Sequence, residues 1–468
     1  TPMSHIQDIY QVDFNHPVHV YFIGIGGISM SGLAEILLSE GFSVSGSDWN
    51  RSPLTERLEQ QGAVIHYGRP QKAENIESDV ELVVYTAAVH ADNPEFQETL
   101  RRKLPSLTRA QLLGQMMKNY RMPVAVSGTH GKTTTTSMIA EILLKADTDP
   151  TISVGGILKD IGGNIRVGGS ELFVTEACEY TNSFLSFFPK VGIILNIEED
   201  HMDFFKDLAD IRSSFRRFAE LIPEDGLLII NGSIPQLSEI TDRLACRVVT
   251  FGASPENDYY FTDTSHDEKA HASFHLHFHG RTLPVRLGVP GDHNIANAAA
   301  ALALADYLNL DMAQAAESLH GFSGTDRRFE YKGSLSGVTI IDDYAHHPTE
   351  IEATLKAAAN YPHKTLWCVF QPHTYTRTKA FFHEFAHALS HADRVILADI
   401  YAARETDTLG ISSALLCQEI VKLGTDCHYF SSFEEIEKFI LENCIPGDLL
   451  ITMGAGNVVN IGEDLLGQ

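Results

Sequence analysis

An α/β fold in three domains is what this 468-residue sequence predicts. Short apolar runs alternate with segments of helical period in three successive blocks, and strands alternating with helices imply parallel or mostly parallel sheets. Two of the blocks open on a glycine-bearing turn between a strand and a helix, "FIGIGGISMSG" and "AVSGTHGKTTTTS". Linkers fit near Pro105 and near Gly321–Thr325. The expected divisions are therefore 1–105, 106–322 and 323–468, within the roughly two to four domains that a chain of this length should hold. No fixed-period repeat or low-complexity tract interrupts them.

The first block is expected to be Rossmann-like. It runs from "VHVYFIGIGG" through a helix from Ser29 to Glu40 to the strands "SVSGSD" and "ELVVYTAAV". Gly24, Gly26, Gly27 and Ser29 form the turn, which lacks the third glycine of a dinucleotide fingerprint. Asp48 ends the next strand, where an acidic side chain can accept hydrogen bonds from a ribose. These residues are candidates for holding a nucleotide-linked ligand; a doubly wound domain with nothing in that turn is the other reading.

In the second block Val124–Val126 read as a buried strand, Ser127–Gly131 as a turn, and Lys132 as the start of a helix with apolar face Met138, Ile139, Ile142 and Leu143. Backbone N–H groups of such a turn converge on an anion at the positive end of the helix. Gly128, Thr129, His130, Gly131, Lys132, Thr133 and Thr134 are thus candidates for a triphosphate, with Lys132 on the β/γ-phosphates and the Thr133 hydroxyl on Mg²⁺. The loop is the short form GTHGKT, with Val126 where the longer pattern has glycine. A mostly parallel sheet of the kind found in phosphate-loop ATPases is expected around it. "LFVTEACEY" puts Glu176 and Glu179 at a strand's carboxyl end, and "IILNIEEDHMD" does the same for Asn196, Asp200 and His201. Carboxylate, imidazole and the Thr133 hydroxyl could share Mg²⁺ beside the γ-phosphate. Two sites for phosphate-bearing ligands suggest a nucleotide-linked substrate in the first domain and ATP in the second.

The third block, also expected to be Rossmann-like, follows the polar stretch "GFSGTDRRFEYKGS". Arg327 and Arg328 could carry phosphate charge when the domains close. "IIDDYAHHPTE" places Asp342, Asp343, His346 and His347 between a strand and a helix, and "FQPHTYTRTKAFF" places His373 and Arg377 after the next strand. Cationic donors there would suit a substrate bearing a carboxylate.

Composition narrows the partners. A formal charge of −26 argues against nucleic acid, whose phosphate backbone needs a basic surface. No apolar run approaches ~18 residues and no signal-peptide pattern opens the chain, so no membrane span is expected. The six cysteines, at 178, 246, 368, 417, 427 and 444, form no C-x-x-C pair, which suits buried thiols in a reducing cytoplasm. His275, His277 and His279 could share one strand face and a metal, but a solvated face near a hairpin is the favoured reading, no carboxylate partner being evident from sequence.

Taken in order, GIGGISMSG (24–32), GTHGKTT (128–134), EACEYTNSF (176–184), DHMD (200–203), GDHNIANAAAAL (291–302), RRF (327–329), DDYAHHPTE (342–350) and QPHTYTRT (371–378) resemble the Mur ligase family over essentially the full length. The resemblance implies that Lys132 and the GTHGKT backbone bind ATP phosphates, with Thr133, Glu176 and His201 on Mg²⁺. It implies Asn294 and Asn297 toward the adenine, Arg327 or Arg328 at phosphate, and Asp343 at the ribose. His346, His373 and Arg377 would face the amino acid and the reacting carboxylate, and the Gly24–Gly32 turn with Asp48 would hold a UDP-sugar. Lys132, His201, Arg327, His346 and Arg377 would then be catalytic. The implied reaction joins L-alanine to the lactyl carboxylate of UDP-N-acetylmuramate through an acyl phosphate. Attachment of a preformed tripeptide, or nucleotide-sugar binding without ligation, are the alternatives. Two departures stand out: Cys178 replaces an acid of the family's E-A-D-E-S-D run, and "RSSFRRF" carries no lysine that could be carbamylated.

Overall fold

Three sheets, each set among helices, make up the computed structural model, which describes residues 9–86, 89–324 and 327–467. The first contains His19–Ile23 (β1), Ser43–Asp48 (β2), Val64–Tyr67 (β3), Leu82–Tyr85 (β4) and Ser106–Thr108 (β5), all parallel, in the order β3-β2-β1-β4-β5. Strand order reverses between β1 and β4, and the Gly24–Gly27 turn leaves the carboxyl end of β1 at that reversal. Such a crevice is where open α/β sheets bind ligands. The sheet extends past Pro105, because β5 pairs with β4, and the helix Arg109–Met117 follows it.

The central sheet has ten strands: Met122–Ser127 (β6), Thr151–Leu158 (β7), Gly163–Arg166 (β8), Leu172–Glu176 (β9), Val191–Ile194 (β10), Leu227–Asn231 (β11), Arg247–Gly252 (β12), Tyr259–His266 (β13), His271–Phe278 (β14) and Arg281–Pro290 (β15). β6 lies between β9 and β10, parallel to both, so the loops leaving these three strands converge. Strands β10 and β11 are apolar almost throughout because both faces are covered, as parallel sheets require. The antiparallel pairs β7–β8, β13–β14 and β14–β15 extend its edges. On β14 apolar and polar residues alternate, and His275 and His277 face outward. His279 lies beyond the strand at φ +50°, and the three imidazoles bond to different partners. Carboxylates do accompany two of them, Asp263 at 3.1 Å from His275 and Asp306 at 2.9 Å from His279, which the sequence did not disclose.

The third sheet holds Glu330–Leu335 (β16), Val338–Asp343 (β17), Leu366–Phe370 (β18), Arg394–Leu397 (β19), Asp426–Tyr429 (β20) and Leu449–Met453 (β21), ordered β16-β17-β21-β18-β19-β20. Its central strands β18 and β21 are wholly buried. Strand β16, read from sequence as a polar connection, is the antiparallel edge and leaves Tyr331 60% exposed. An edge needs little apolar surface. Part of the expected linker, Thr325, lies outside the described residues. All six cysteines are free, and no helix among the described residues is long and apolar enough to cross a membrane.

Candidate active site

The phosphate loop is held from both sides. Asn196, just past β10, accepts from the His130 N–H at 2.8 Å and donates to the His130 carbonyl at 2.9 Å. Gly131 has φ +87°, and a Cβ there would stand 2.8 Å from the Asn297 Oδ1, so the turn requires glycine twice over. The helix Lys132–Lys145 starts at the next residue, with Met138, Ile139, Ile142 and Leu143 buried beneath the sheet. The backbone donors of the turn are thereby fixed before any anion arrives.

Charges converge on this loop. Lys132 Nζ donates to the Gly128 carbonyl at 2.7 Å and pairs with Glu179 at 3.2 Å. Thr133 Oγ1 donates to Glu176 Oε1 at 2.5 Å. His201 Nε2 lies 3.5 Å from Glu179 Oε1. Burial disfavours the Glu179 carboxylate, but Lys132 and His201 outweigh it and hold its pKa below the ordinary value. Even so, Glu179 Oε1 is buried without a hydrogen-bond partner among the described residues. An orphaned carboxylate oxygen beside an imidazole, a hydroxyl and a second carboxylate is a donor set suited to a hard divalent cation. His130 bridges Glu350 at 2.7 Å and Glu198 at 2.9 Å; burial opposes its charge, but the two carboxylates raise its pKa to about 10.

A cavity of about 150 Å³ runs from the loop to the third sheet and is lined by His130, Gly131, Thr134, Asn294, Asn297, Arg328 and Asp343, among others. The structure thus gathers at one place Asn294, Asn297 and Asp343, expected at the adenine and ribose, with Arg328, expected at phosphate. Asp343 accepts from the Phe329 and Ala345 N–H groups at 2.8 Å each, and burial raises its pKa to about 6 despite Arg328. Arg327 departs from expectation. Its guanidinium donates to Asp342 at 3.0 Å and to the Gly456 and Gly454 carbonyls at 2.9 and 2.7 Å. With its donors engaged within the third domain, Arg327 acts as a clamp on that domain, and only Arg328 of the pair faces the cavity.

A second cavity, about 450 Å³, lies on the other side of Glu179 and is lined by Tyr180, Asp200, His201, His373, Arg377 and Arg404, among others. Arg377 donates to Asp200 at 3.1 Å across the domain interface and contacts His373 at 3.2 Å. Burial holds the pKa values of His346 and His373 down to about 4, so both rings are neutral near pH 7. A third cavity, about 1120 Å³, opens at the first sheet's reversal, lined by Gly24, Gly26, Gly27, Ser29 and Asp48, among others. Asp48 there accepts from the Gly26 N–H at 2.8 Å, and a Cβ on Gly26 would collide with it at 2.5 Å. One of its oxygens therefore shapes the turn, a role the sequence did not suggest.

Sequence reasoning assigned no role to Glu350 or Glu198. Glu350 occupies the first turn of the helix Pro348–Ala359, where an acid reads as an ordinary complement to the helix dipole. Only its approach to His130, 220 residues away in the chain, shows the link.

Comparison with known proteins agrees along the whole chain. Residues 19–121 match the description "Mur ligase family, catalytic domain", residues 126–305 "Mur ligase middle domain", and residues 327–456 "Mur ligase, glutamate ligase domain". The chain belongs to the Mur ligase family. A UDP-N-acetylmuramate–L-alanine ligase of Lachnospira eligens is 59% identical over 98% of this chain and 100% of its own length. A protein of the same name from Clostridium botulinum is 50% identical over 95% of this chain and 96% of its own. Among solved structures, the UDP-N-acetylmuramate-alanine ligase of Thermotoga maritima superposes with a TM-score of 0.78 at 30% identity, covering 96% of this chain and 98% of that one. A murein peptide ligase from Psychrobacter arcticus gives a TM-score of 0.68 at 25% identity with the same coverage. In this Mur ligase chain the three matched segments each carry one of the three sheets.

Proposed function

We propose that this Mur ligase joins L-alanine to the lactyl carboxylate of UDP-N-acetylmuramate, converting ATP to ADP and phosphate, in the synthesis of peptidoglycan precursor in the cytoplasm. The observation that carries the reading is the position of Glu179. It lies between Lys132 of the phosphate loop and His201 of the Arg377 cavity, so the triphosphate's end and the amino-acid cavity meet at one buried carboxylate. The UDP part is assigned to the Gly24–Ser29 turn and Asp48. Asn294 and Asn297 are assigned to the adenine, Asp343 to the ribose, and Arg328 with Lys132 to the phosphates. We place the domain junctions near residues 121 and 323, after the helix Arg109–Met117 and the helix Met312–Gly321.

Thr133, Glu176 and His201 would hold Mg²⁺, with Glu179 added by its orphaned oxygen. Bound there, the cation would neutralise phosphate charge. The chain's own part is orientation. Lys132 draws charge from the γ-phosphate as the lactyl carboxylate attacks it, ADP leaves, and an acyl phosphate forms. Arg377 anchors the amino acid's carboxylate beside His373, and the alanine amine, deprotonated, attacks the acyl carbon. Phosphate departs with the C–O electrons and an amide remains. The neutral His346 and His373 rings leave Arg377 the main cation facing that carboxylate. Closure of the third domain excludes the water that would hydrolyse the intermediate.

A coupled ADP-release assay with UDP-N-acetylmuramate and single amine donors tests the reading. L-Alanine should be the best donor, with glycine and L-serine slower, since one methyl or hydroxyl discriminates by about 1–3 kcal/mol. Faster ligation of L-Ala-γ-D-Glu-diaminopimelate would replace it with a tripeptide-adding activity, and release of AMP and pyrophosphate would exclude the acyl phosphate.

A further inference from the structure

The large cavity at the first sheet's reversal contains a cation that no described residue neutralises. Arg109 opens the helix Arg109–Met117 directly after β5, is partly buried, and lines the cavity opposite the glycine turn. Among the described residues it makes no hydrogen bond and no ion pair. A guanidinium carries five donors, and a desolvated one without a partner is costly to keep. Arg404 lines the same cavity from the third domain, but it is exposed, and a solvated arginine needs no ligand to explain it. Arg109 does.

Its position is not adjustable. Gly114, on the same helix, touches the segment Tyr180–Ser186 so closely that a Cβ would fall 1.9 Å from the Ser186 carbonyl oxygen. That segment begins at the residue after Glu179. The contact ties the helix that carries Arg109 to the segment following the buried carboxylate of the phosphate-loop site. Arg109 thus lines the cavity of the glycine turn from a helix that packs against the segment following Glu179.

We infer that Arg109 binds an oxyanion of the nucleotide-sugar, through the bidentate geometry that guanidinium offers to phosphate and carboxylate alike. This rests on the proposed substrate and adds the residue that fixes its charged part. The shared chemistry is an oxygen anion, and a UDP-linked muramyl substrate offers two: the diphosphate and the lactyl carboxylate.

Calorimetric titration of the full-length protein, its Arg109→Met and its Arg109→Lys variant distinguishes them. The probes are UDP, UDP-N-acetylglucosamine and UDP-N-acetylmuramate. Arg109→Met should weaken UDP-N-acetylmuramate at least about tenfold, the scale of a charged hydrogen bond, with Arg109→Lys intermediate and ATP affinity within about threefold of wild type. Equal weakening of all three probes assigns the diphosphate, and weakening of UDP-N-acetylmuramate alone assigns the carboxylate. The ligand-free Arg109→Met protein should melt at or above the wild-type temperature, because an unpaired, partly buried charge is gone. Unchanged affinity for every probe overturns the inference, as does a variant that melts well below wild type or fails to fold, which would make Arg109 structural. Wild-type protein that binds ATP but none of the three probes would overturn the proposed substrate as well.

Discussion

Lys132 and Glu179 depend on one another in a way that a phosphate loop alone would not require. The Glu179 side chain is 1% exposed, and Lys132 is its cationic partner at 3.2 Å. Lys132→Ala should lower turnover about 10²-fold or more, since a charge on the developing phosphate is lost. It should also lower the melting temperature, because breaking a buried pair by removing one member costs about 3–5 kcal/mol. The double variant Lys132→Ala/Glu179→Gln should recover the melting temperature and leave turnover low. Melting curves beside the ADP assay separate the two effects; a single variant that melts like wild type would mean the pair adds nothing to the fold. Cys178 makes a simpler case. Burial and Glu179 push its thiol pKa up, so we expect it to act as neither nucleophile nor metal ligand. Cys178→Ala should keep more than about half of the Mg²⁺-dependent activity, because removing a neutral, poorly bonding sulfur disturbs only local packing.

At the scale of elements, the helix Arg109–Met117 shows how one small residue sets a site's dimensions. Gly114→Ala would drive a Cβ into backbone, which cannot move aside as a side chain can. We expect a loss of about 1–3 kcal/mol, the usual cost of overpacking, or more. A raised KM for the nucleotide-sugar should accompany it, since Arg109 rides on that helix; chemical denaturation and steady-state kinetics measure both. Strands β10, β11, β18 and β21 were legible from their continuous apolar runs, and the helix from Lys132 from its period and its glycine turn. Strand β16 was not, because an edge strand of mixed polarity looks like a connection. The junction at Pro105 misled for a related reason. Three residues, Ser106–Thr108, are too short to show a period, and only pairing with β4 identifies them as a strand.

Across the whole molecule, the third domain is tied to the central one by His130–Glu350, Arg377–Asp200 and the His347 ring on the Glu199 carbonyl. The charged ties give closure a pH window. His130 has a folded pKa of about 10 against 6.5 unfolded, so its contribution is complete below pH 6.5 and is lost as pH rises through about 10. His346 and His373 move the other way, to about 4 from 6.5, so stability falls as pH drops between those values. Asp200 and Glu350, buried but held low by Arg377 and by His346 and His130, lose their contribution further into acid. Melting temperature should therefore peak near pH 6.5 and fall on both sides. Glu350→Gln should lower it there and move the alkaline loss toward neutrality, since His130 loses a carboxylate that holds its proton. A melt series from about pH 5 to 10.5 on both proteins checks this; superimposable alkaline limbs would remove Glu350 from the account.

The sequence alone determined the α/β class, the three blocks and the glycine turn before the Lys132 helix, because these follow from local period, glycine placement and residues adjacent in the chain. By resemblance it also grouped Asn294, Asn297, Arg328 and Asp343, which line one cavity. Only the tertiary structure decided which of two neighbouring arginines faces that cavity, since Arg327 is turned away by carbonyls more than a hundred residues downstream. Only it joined Glu350 to His130 and, among the described residues, left Glu179 and Arg109 with unmet bonding capacity. Whether a buried charge has a partner depends on distances between segments far apart in the chain, and no local pattern of residues encodes those distances.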